Sequence, residues 1–267
     1  MPLRATHCSG RRPARPGGLS RLTSGVMHVD VHGPEAATPV VLLHGGTGTG
    51  DHHWRRVIRE LGDVWRLLVP DLPGHGRSRL PPTGFNRNAL VAAVDDAIER
   101  AGAPAHVTGF SMGANAALQL ATQRPQRFAS LAVIGASVAD HPGLAAWRAR
   151  FDAETLARDH PLWARTMSRL HRPLGGDDAW RDVLARDAGG LDVDVDVDAL
   201  ARLSCPLLIL RGDRDPAVDS EQQARLRAAA GQHGEECVVP AGGHEVQMTR
   251  PRIVSVVLDD FWARAAG

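Results

Sequence analysis

With 267 residues, 31 basic and 30 acidic side chains and a net charge of +1, the chain can bury one large core. It carries no charge excess that would serve nucleic acid or an anionic membrane surface. Its three cysteines, Cys8, Cys205 and Cys237, are odd in number and far apart, without C-x-x-C or Cys/His spacing, which excludes a disulfide framework and a zinc pattern.

Every basic side chain is arginine, a bias of composition that would also suit carboxylate binding wherever an arginine lines a pocket. No run approaches the roughly 18 consecutive apolar residues of a membrane span. A reduced, cytoplasmic protein with no cofactor and no metal is expected, as a monomer or homodimer with neither nucleic acid nor membrane as partner. Cys237 reads as a small core residue of a strand.

Residues 1–18 carry Arg4, Arg11, Arg12 and Arg15 with no acid and no apolar run, and read as a disordered basic tail. Arg11-Arg12 lacks the apolar region that must follow a twin-arginine signal. Leu22 to Val26 reads as the first arm of a hairpin, and Met27 as a possible alternative start. Met27 to His32 alternates like an edge strand with one wet face. Pro39 to Leu43 is a continuous apolar strand running into His44-Gly45-Gly46-Thr47-Gly48-Thr49-Gly50. Asp51 is placed as the N-cap of a helix whose face is Trp54, Val57, Ile58 and Leu61. The glycines of this loop fit neither phosphate-binding pattern in its proper context, and no lysine exists to reach a phosphate.

Leu67 to Pro70 is a strand followed by the turn-rich Asp71 to Ser78, in which Asp71 and His75, like His44 before them, read as loop formers. Leu90, Val94 and Ile98 mark a helix. Ala105 to Thr108 is a buried strand, and Ala114 to Thr122 an Ala-rich helix. Between them lies Gly109-Phe110-Ser111-Met112-Gly113, a G-x-S-x-G at the strand-to-helix turn that a nucleophile elbow requires. Further strands are predicted at Leu131 to Ile134, Leu207 to Leu210 and Glu235 to Val239, with a closing helix whose face is Ile253, Val257 and Phe261. Strands alternating with helices imply an α/β fold with a mainly parallel sheet flanked by helices on both faces. Ligands of such sheets lie at the carboxyl ends of the strands.

The alternation stops over 138–204, which reads as an inserted helical cap with helices at about 143–158, 161–171 and 177–187. Leu191 to Asp198 ends it as a solvated acidic face leading to an N-cap at Asp198; it lacks the glycine and terminal glutamate of a calcium loop. The domain is thus 19–267, with its core at 19–137 and 205–267. The cap's eight arginines from Arg148 to Arg186, Arg181 among them, read as a solvated face; one or two turned inward would point to a carboxylate on the substrate.

A serine hydroxyl needs a base, and the base needs a partner that fixes its tautomer. Leu210-Arg211-Gly212-Asp213-Arg214-Asp215 follows one strand and Gly242-Gly243-His244-Glu245 the last, so Ser, Asp and His come in the order this architecture uses. Together with the His44-Gly45-Gly46 loop, Asp71 to Ser78 and the elbow, these residues make the chain from about residue 19 onward resemble the α/β-hydrolase superfamily. The resemblance implies Ser111 as nucleophile, His244 as general base and acid, and Asp215 as orienting carboxylate. Asp213, and more remotely Asp140, are rivals for the last role. The backbone N–H groups of Gly46 and Met112 would form the oxyanion hole, with Thr47 as the alternative donor. Ala114 stands where the family pattern has a further glycine.

The implied activity is that of a serine hydrolase acting on a small-molecule acyl substrate, a small to medium carboxylic ester, lactone or thioester, through an acyl-enzyme. Carbon-carbon hydrolysis or elimination on the same residues, and a non-catalytic ligand-binding protein, stand as alternatives.

Overall fold

The computed structural model describes residues 27–267, so the 1–18 tail, the Leu22 to Val26 arm and Cys8 lie outside the described residues. Seven strands form one sheet in the order β1-β3-β2-β4-β5-β6-β7. In chain order the first elements are β1 (Val29–His32), β2 (Pro39–Leu43), α1 (Gly50–Leu61), β3 (Arg66–Pro70) and α2 (Arg87–Ala101). Then come β4 (Ala105–Phe110), α3 (Met112–Gln123) and β5 (Phe128–Ile134). The last segment holds β6 (Leu207–Gly212), α9 (Ser220–Ala230), β7 (Gly234–Val239), α10 (Val246–Thr249) and α11 (Pro251–Ala266). Between β5 and β6 lie α4 (Pro142–Arg148), α5 (Ala153–Asp159), α6 (Pro161–His171), α7 (Ala179–Gly189) and α8 (Val197–Leu200).

Only β1 runs antiparallel, against β3; the other five pairings are parallel. The strands read as unbroken apolar runs because both faces are covered, and the pleat then divides each run between them. Val40 and Leu42 pack with Trp54 and Val57 of α1 and Leu258 and Trp262 of α11. Val41 and Leu43 pack with Leu90 and Val94 of α2, Leu118 of α3 and Leu226 of α9. Parallel pairing brings the carboxyl ends of β2, β4, β6 and β7 to one edge, where the loops after them must meet.

Several boundaries depart from the sequence reading. The cap of α1 is Thr49, whose side chain accepts from the His52 N–H, and Asp51 sits within the first turn, where its charge favours the helix N-terminus. The helix expected at about 143–158 breaks over Ala149–Asp152 into α4 and α5, and α5 is re-capped by Asp152 accepting from the Thr155 N–H. Asp196 rather than Asp198 caps α8.

The Val-Asp repeat is extended, bridged antiparallel at Ala139 and Asp194. Val193 and Val195 are buried, while Asp192, Asp194 and Asp196 face solvent. On α11 the buried face is Val254, Leu258, Phe261 and Trp262, whereas Ile253 is 45% exposed, a shift of one residue from the expected stripe. Cys237 is only partly buried, and its surroundings raise the thiol pKa by desolvation; Cys205 is buried and pushed up to about 12 by the same cause.

The insertion has an apolar centre of its own. Ala164 and Met167 from α6 meet Trp180 and Leu184 from α7, with Phe151, Leu156 and Trp163 packed around them. No described helix is long and apolar enough to cross a membrane.

Candidate active site

Ser111 stands between β4 and α3 with φ 48° and ψ −113°, a left-handed backbone that a non-glycine residue adopts only where its surroundings force it. The forcing contacts are backbone. A Cβ on Gly109 would lie 2.6 Å from the Ala114 backbone, and one on Gly113 would lie 2.5 Å from the His44 carbonyl oxygen. The Ser111 N–H donates to Ile134 O at 2.8 Å and the Gly113 N–H to His44 O at 3.1 Å. Among the described residues no acceptor takes the Met112 N–H between them, so it is free at the first turn of α3. Ala114 is fully buried, its methyl group filling the space that a glycine would leave.

At the end of β7 His244 turns its ring toward the elbow. Its Nδ1 lies 2.9 and 3.0 Å from the two Asp215 carboxyl oxygens, and its Nε2 lies 3.0 Å from Ser111 Oγ. The carboxyl group on one side places the ring proton on Nδ1, leaving Nε2 to accept from the serine hydroxyl. Asp215 is aimed by its own loop, since Oδ1 also accepts from the Ala217 and Val218 N–H groups at 2.8 and 3.0 Å.

Neither rival carboxylate reaches the imidazole. Asp213 accepts from the Gly242 N–H at 3.1 Å, and Asp140 takes Arg148 and the Val193 N–H. Phe110 and Trp147 lie against the His244 ring with centroids 5.0 and 5.2 Å away, and the Asp215 side chain is wholly buried. Gly135, at φ 60°, is required here, because a Cβ would sit 3.0 Å from the imidazole Cε1.

Across the serine lies the loop after β2. Gly46 lies beside the elbow, and among the described residues its N–H has no acceptor. The Thr47 N–H is not available, because it donates to Asp187 Oδ2 from α7. His44 ties this loop to the one after β3: its Nε2 accepts from the Leu72 N–H at 2.8 Å and its Nδ1–H donates to Gly45 O at 2.7 Å. Asp71 accepts from the N–H groups of Gly50 and Arg77, both at 3.0 Å. These residues hold loops, as their turn-rich setting implied.

Burial pushes His44 down to about 3 and His171 to about 4, and holds His53 well below its ordinary value. His53 is buried, because α1 turns it under the loop and edge-on to Phe110 with ring centroids 5.1 Å apart. Burial alone would raise the Asp187 carboxyl, yet the adjoining His75 ring and the Thr47 N–H outweigh it and hold the group below the usual carboxylate range.

The cavity above Ser111 has apolar walls of Phe85, Leu90, Phe110, Leu144, Trp147 and Phe151, and Arg87, Asn115, Gln119 and Glu245 add polar groups to its lining. Of the eight arginines from Arg148 to Arg186 only Arg148 lines the cavity, and it is engaged. Arg148 binds Asp140 at 3.2 Å and Leu191 O at 2.8 Å, and Arg186 binds Gly74 O at 3.0 Å. Arg158, Arg172 and Arg181 pair with acidic neighbours on the surface. Phe85, Trp147, Asp187 and His171 were invisible as site residues in the sequence, because each stands in a segment whose local pattern is that of an ordinary amphipathic or polar helix or loop.

A parallel sheet with a strained serine elbow and a histidine and aspartate delivered by later strand ends defines the α/β-hydrolase class. Residues 40–255 match the alpha/beta hydrolase family, and the chain belongs to it. Over 274 aligned residues it is 30% identical to a Caulobacter vibrioides protein provisionally named carbamate hydrolase RutD, covering 91% of this chain and 98% of that one. It is 29% identical to an esterase of Mycobacterium tuberculosis, with 84% of each chain covered. Among solved structures, NosK from Streptomyces actuosus superposes with a TM-score of 0.70 at 30% identity, covering 86% of this chain and all of that one. The protein is a hydrolase of the α/β type.

Proposed function

We propose that the protein cleaves a small to medium carboxylic ester, lactone or thioester through an acyl-enzyme on Ser111. The observation that carries this reading is the unbroken line from Asp215 through His244 to Ser111 Oγ, with every link at 2.9 to 3.0 Å. His244 Nε2 takes the serine proton as Oγ attacks the carbonyl carbon, and Asp215 holds the ring while it is charged. The developing oxyanion is received by the free N–H groups of Gly46 and Met112, each worth about 3 kcal/mol in comparable sites. His244 then returns the proton to the leaving group, and a water activated the same way releases the acid.

The aromatic and aliphatic walls favour an apolar acyl or alcohol chain. With Arg87 and Arg148, the arginines of the lining, both bound to partners, a carboxylate on the substrate is not called for. The esterase and carbamate-hydrolase names of the relatives support carbonyl hydrolysis as the reaction class.

The test is labelling by a fluorophosphonate with Ser111→Ala as control, followed by a panel of esters varied in acyl length and charge. Labelling of the wild type alone, with turnover rising along the neutral apolar series, is the expected result. A folded wild-type protein that neither labels nor turns over any ester would overturn the proposal.

A further inference from the structure

Thr47 is backbone-strained. It is β-branched, its φ is +62°, and it is the centre of a three-residue turn closed by the Gly48 N–H donating to Gly46 O at 2.8 Å. Such a turn is rare and persists only where neighbours over-determine it. Here both polar groups of Thr47 are held by side chains of the helical insertion. Its N–H donates to Asp187 Oδ2 on α7, and its carbonyl oxygen accepts from His171 Nε2 at the end of α6, 2.8 Å away.

Each of these side chains is fixed in turn by the loop after β3. The Gly76 N–H donates to His171 Nδ1 at 3.0 Å, which leaves the ring proton on Nε2, and His75 Nε2 stands 3.1 Å from Asp187 Oδ2. Both side chains are almost wholly buried. The carboxyl group also lies against Gly46, where an added Cβ would be 3.2 Å from Oδ2.

We propose that Asp187 and His171 are positioning residues: the insertion grips Thr47 from both sides and so aims the Gly46 N–H at the oxyanion. The proposal rests on the reading of Gly46 as an oxyanion donor. Within the loop His44 Nδ1–H holds only the carbonyl of the Gly45–Gly46 peptide, and the glycines and threonines that follow leave the next peptide for the insertion to fix. The insertion therefore completes the catalytic geometry as well as walling the cavity. Without the grip the donor swings away from the position at which it must meet developing charge, a loss felt in the transition state and not in ground-state binding.

The test compares kcat and KM for a neutral ester the wild type turns over, together with inhibition by an alkyl boronic acid, whose tetrahedral adduct presents an oxygen to the same donors. Asp187→Ala and His171→Leu are expected to lower kcat about 10- to 100-fold, to weaken boronate binding by a similar factor, and to leave KM within about threefold. Asp187→Asn retains an oxygen that accepts from the Thr47 N–H at the position of Oδ2, giving up the carboxylate contact with His75 made by the same atom, and His171→Gln retains a donor for the Thr47 carbonyl. Both are expected to recover most of the lost kcat. Arg158→Ala, which loses an exposed pair with Asp159 on the same insertion, is expected to match the wild type.

Folded alanine and leucine variants with wild-type kcat, or with the loss confined to KM, would overturn the inference. So would an asparagine variant as impaired as the alanine one, because the charge and not the grip would then matter. If Asp187→Ala does not fold, the pair His171→Leu and His171→Gln decides on the same criteria. A wild type without Ser111-dependent turnover is a separate result, which removes the underlying hydrolase reading.

Discussion

The two sides of Ser111 are built in opposite ways. On the histidine side, Asp215 and His244 each stand a few residues beyond a strand of the central sheet, and each is aimed by its own loop's backbone. On the glycine side, the strained Thr47 peptide of the loop after β2 is held by Asp187 and His171, side chains 140 and 124 residues away on an insertion with a small core of its own. A group set by strand ends is as rigid as the sheet. One held by an inserted helical layer is only as well placed as that layer's packing, so under the proposed function the glycine side is where variation in the insertion would alter rate without touching Ser111.

The largest effect should come from the rigid side. Asp215→Asn is expected to lower kcat about 10,000-fold while leaving the melting temperature nearly unchanged, since the wrong tautomer is then favoured on a ring still in place. Steady-state kinetics beside a thermal melt reads both. Asp213→Asn, two residues earlier, should change kcat less than about threefold, because its contact is to the Gly242 N–H and not to the imidazole.

The soft side should fail by unpacking. Trp180→Ala empties the centre of the insertion at a cost of about 3 kcal/mol or more. Hydrogen exchange should show the loss across α6 and α7 with the strands still protected, and kcat should fall with it. Equal deprotection of β4 and β5 would mean that the insertion and the sheet unfold as one.

Acid should act mainly on the loops around the glycine side. His44 and His171 are neutral when folded, pushed to about 3 and about 4 from an ordinary 6.5. The unfolded chain therefore binds more protons than the native one as pH falls below 6.5, so stability rises with pH through the window from about 4 to 6.5 and is lost on descending it. Melting temperatures are expected to fall progressively across that window. In His171→Gln the fall should be shallower, and an unchanged slope would show that His171 is not among the groups responsible.

The smallest expected effect concerns the surface of the insertion. Arg172→Ala removes one exposed pair with Asp177 and should shift stability by less than about 1 kcal/mol.

Much of the architecture is decided locally, and so is written in the sequence. Apolar runs such as Pro39 to Leu43 and Leu131 to Ile134 can only be strands covered on both faces. Gly109 and Gly113 are demanded by backbone contacts within one turn, and parallel pairing obliges the loops carrying Ser111, Asp215 and His244 to share an edge. The choice of Asp215 over Asp213 rests on the resemblance, not on the local pattern. Two residues apart on one loop, they are separated only by which carboxyl group the turn at Ala217 and Val218 aims at the imidazole.

The caps of α1 and α8, the break after α4 and the buried stripe of α11 also waited on packing. Alternative polar residues within one turn cap a helix about equally well, and neighbours choose between them. The grip on Thr47 left no trace in the sequence at all. Asp187 follows an arginine on a helix that reads as solvated, and His171 ends another, and only the docking of that layer onto the sheet places both against one strained peptide of a distant loop.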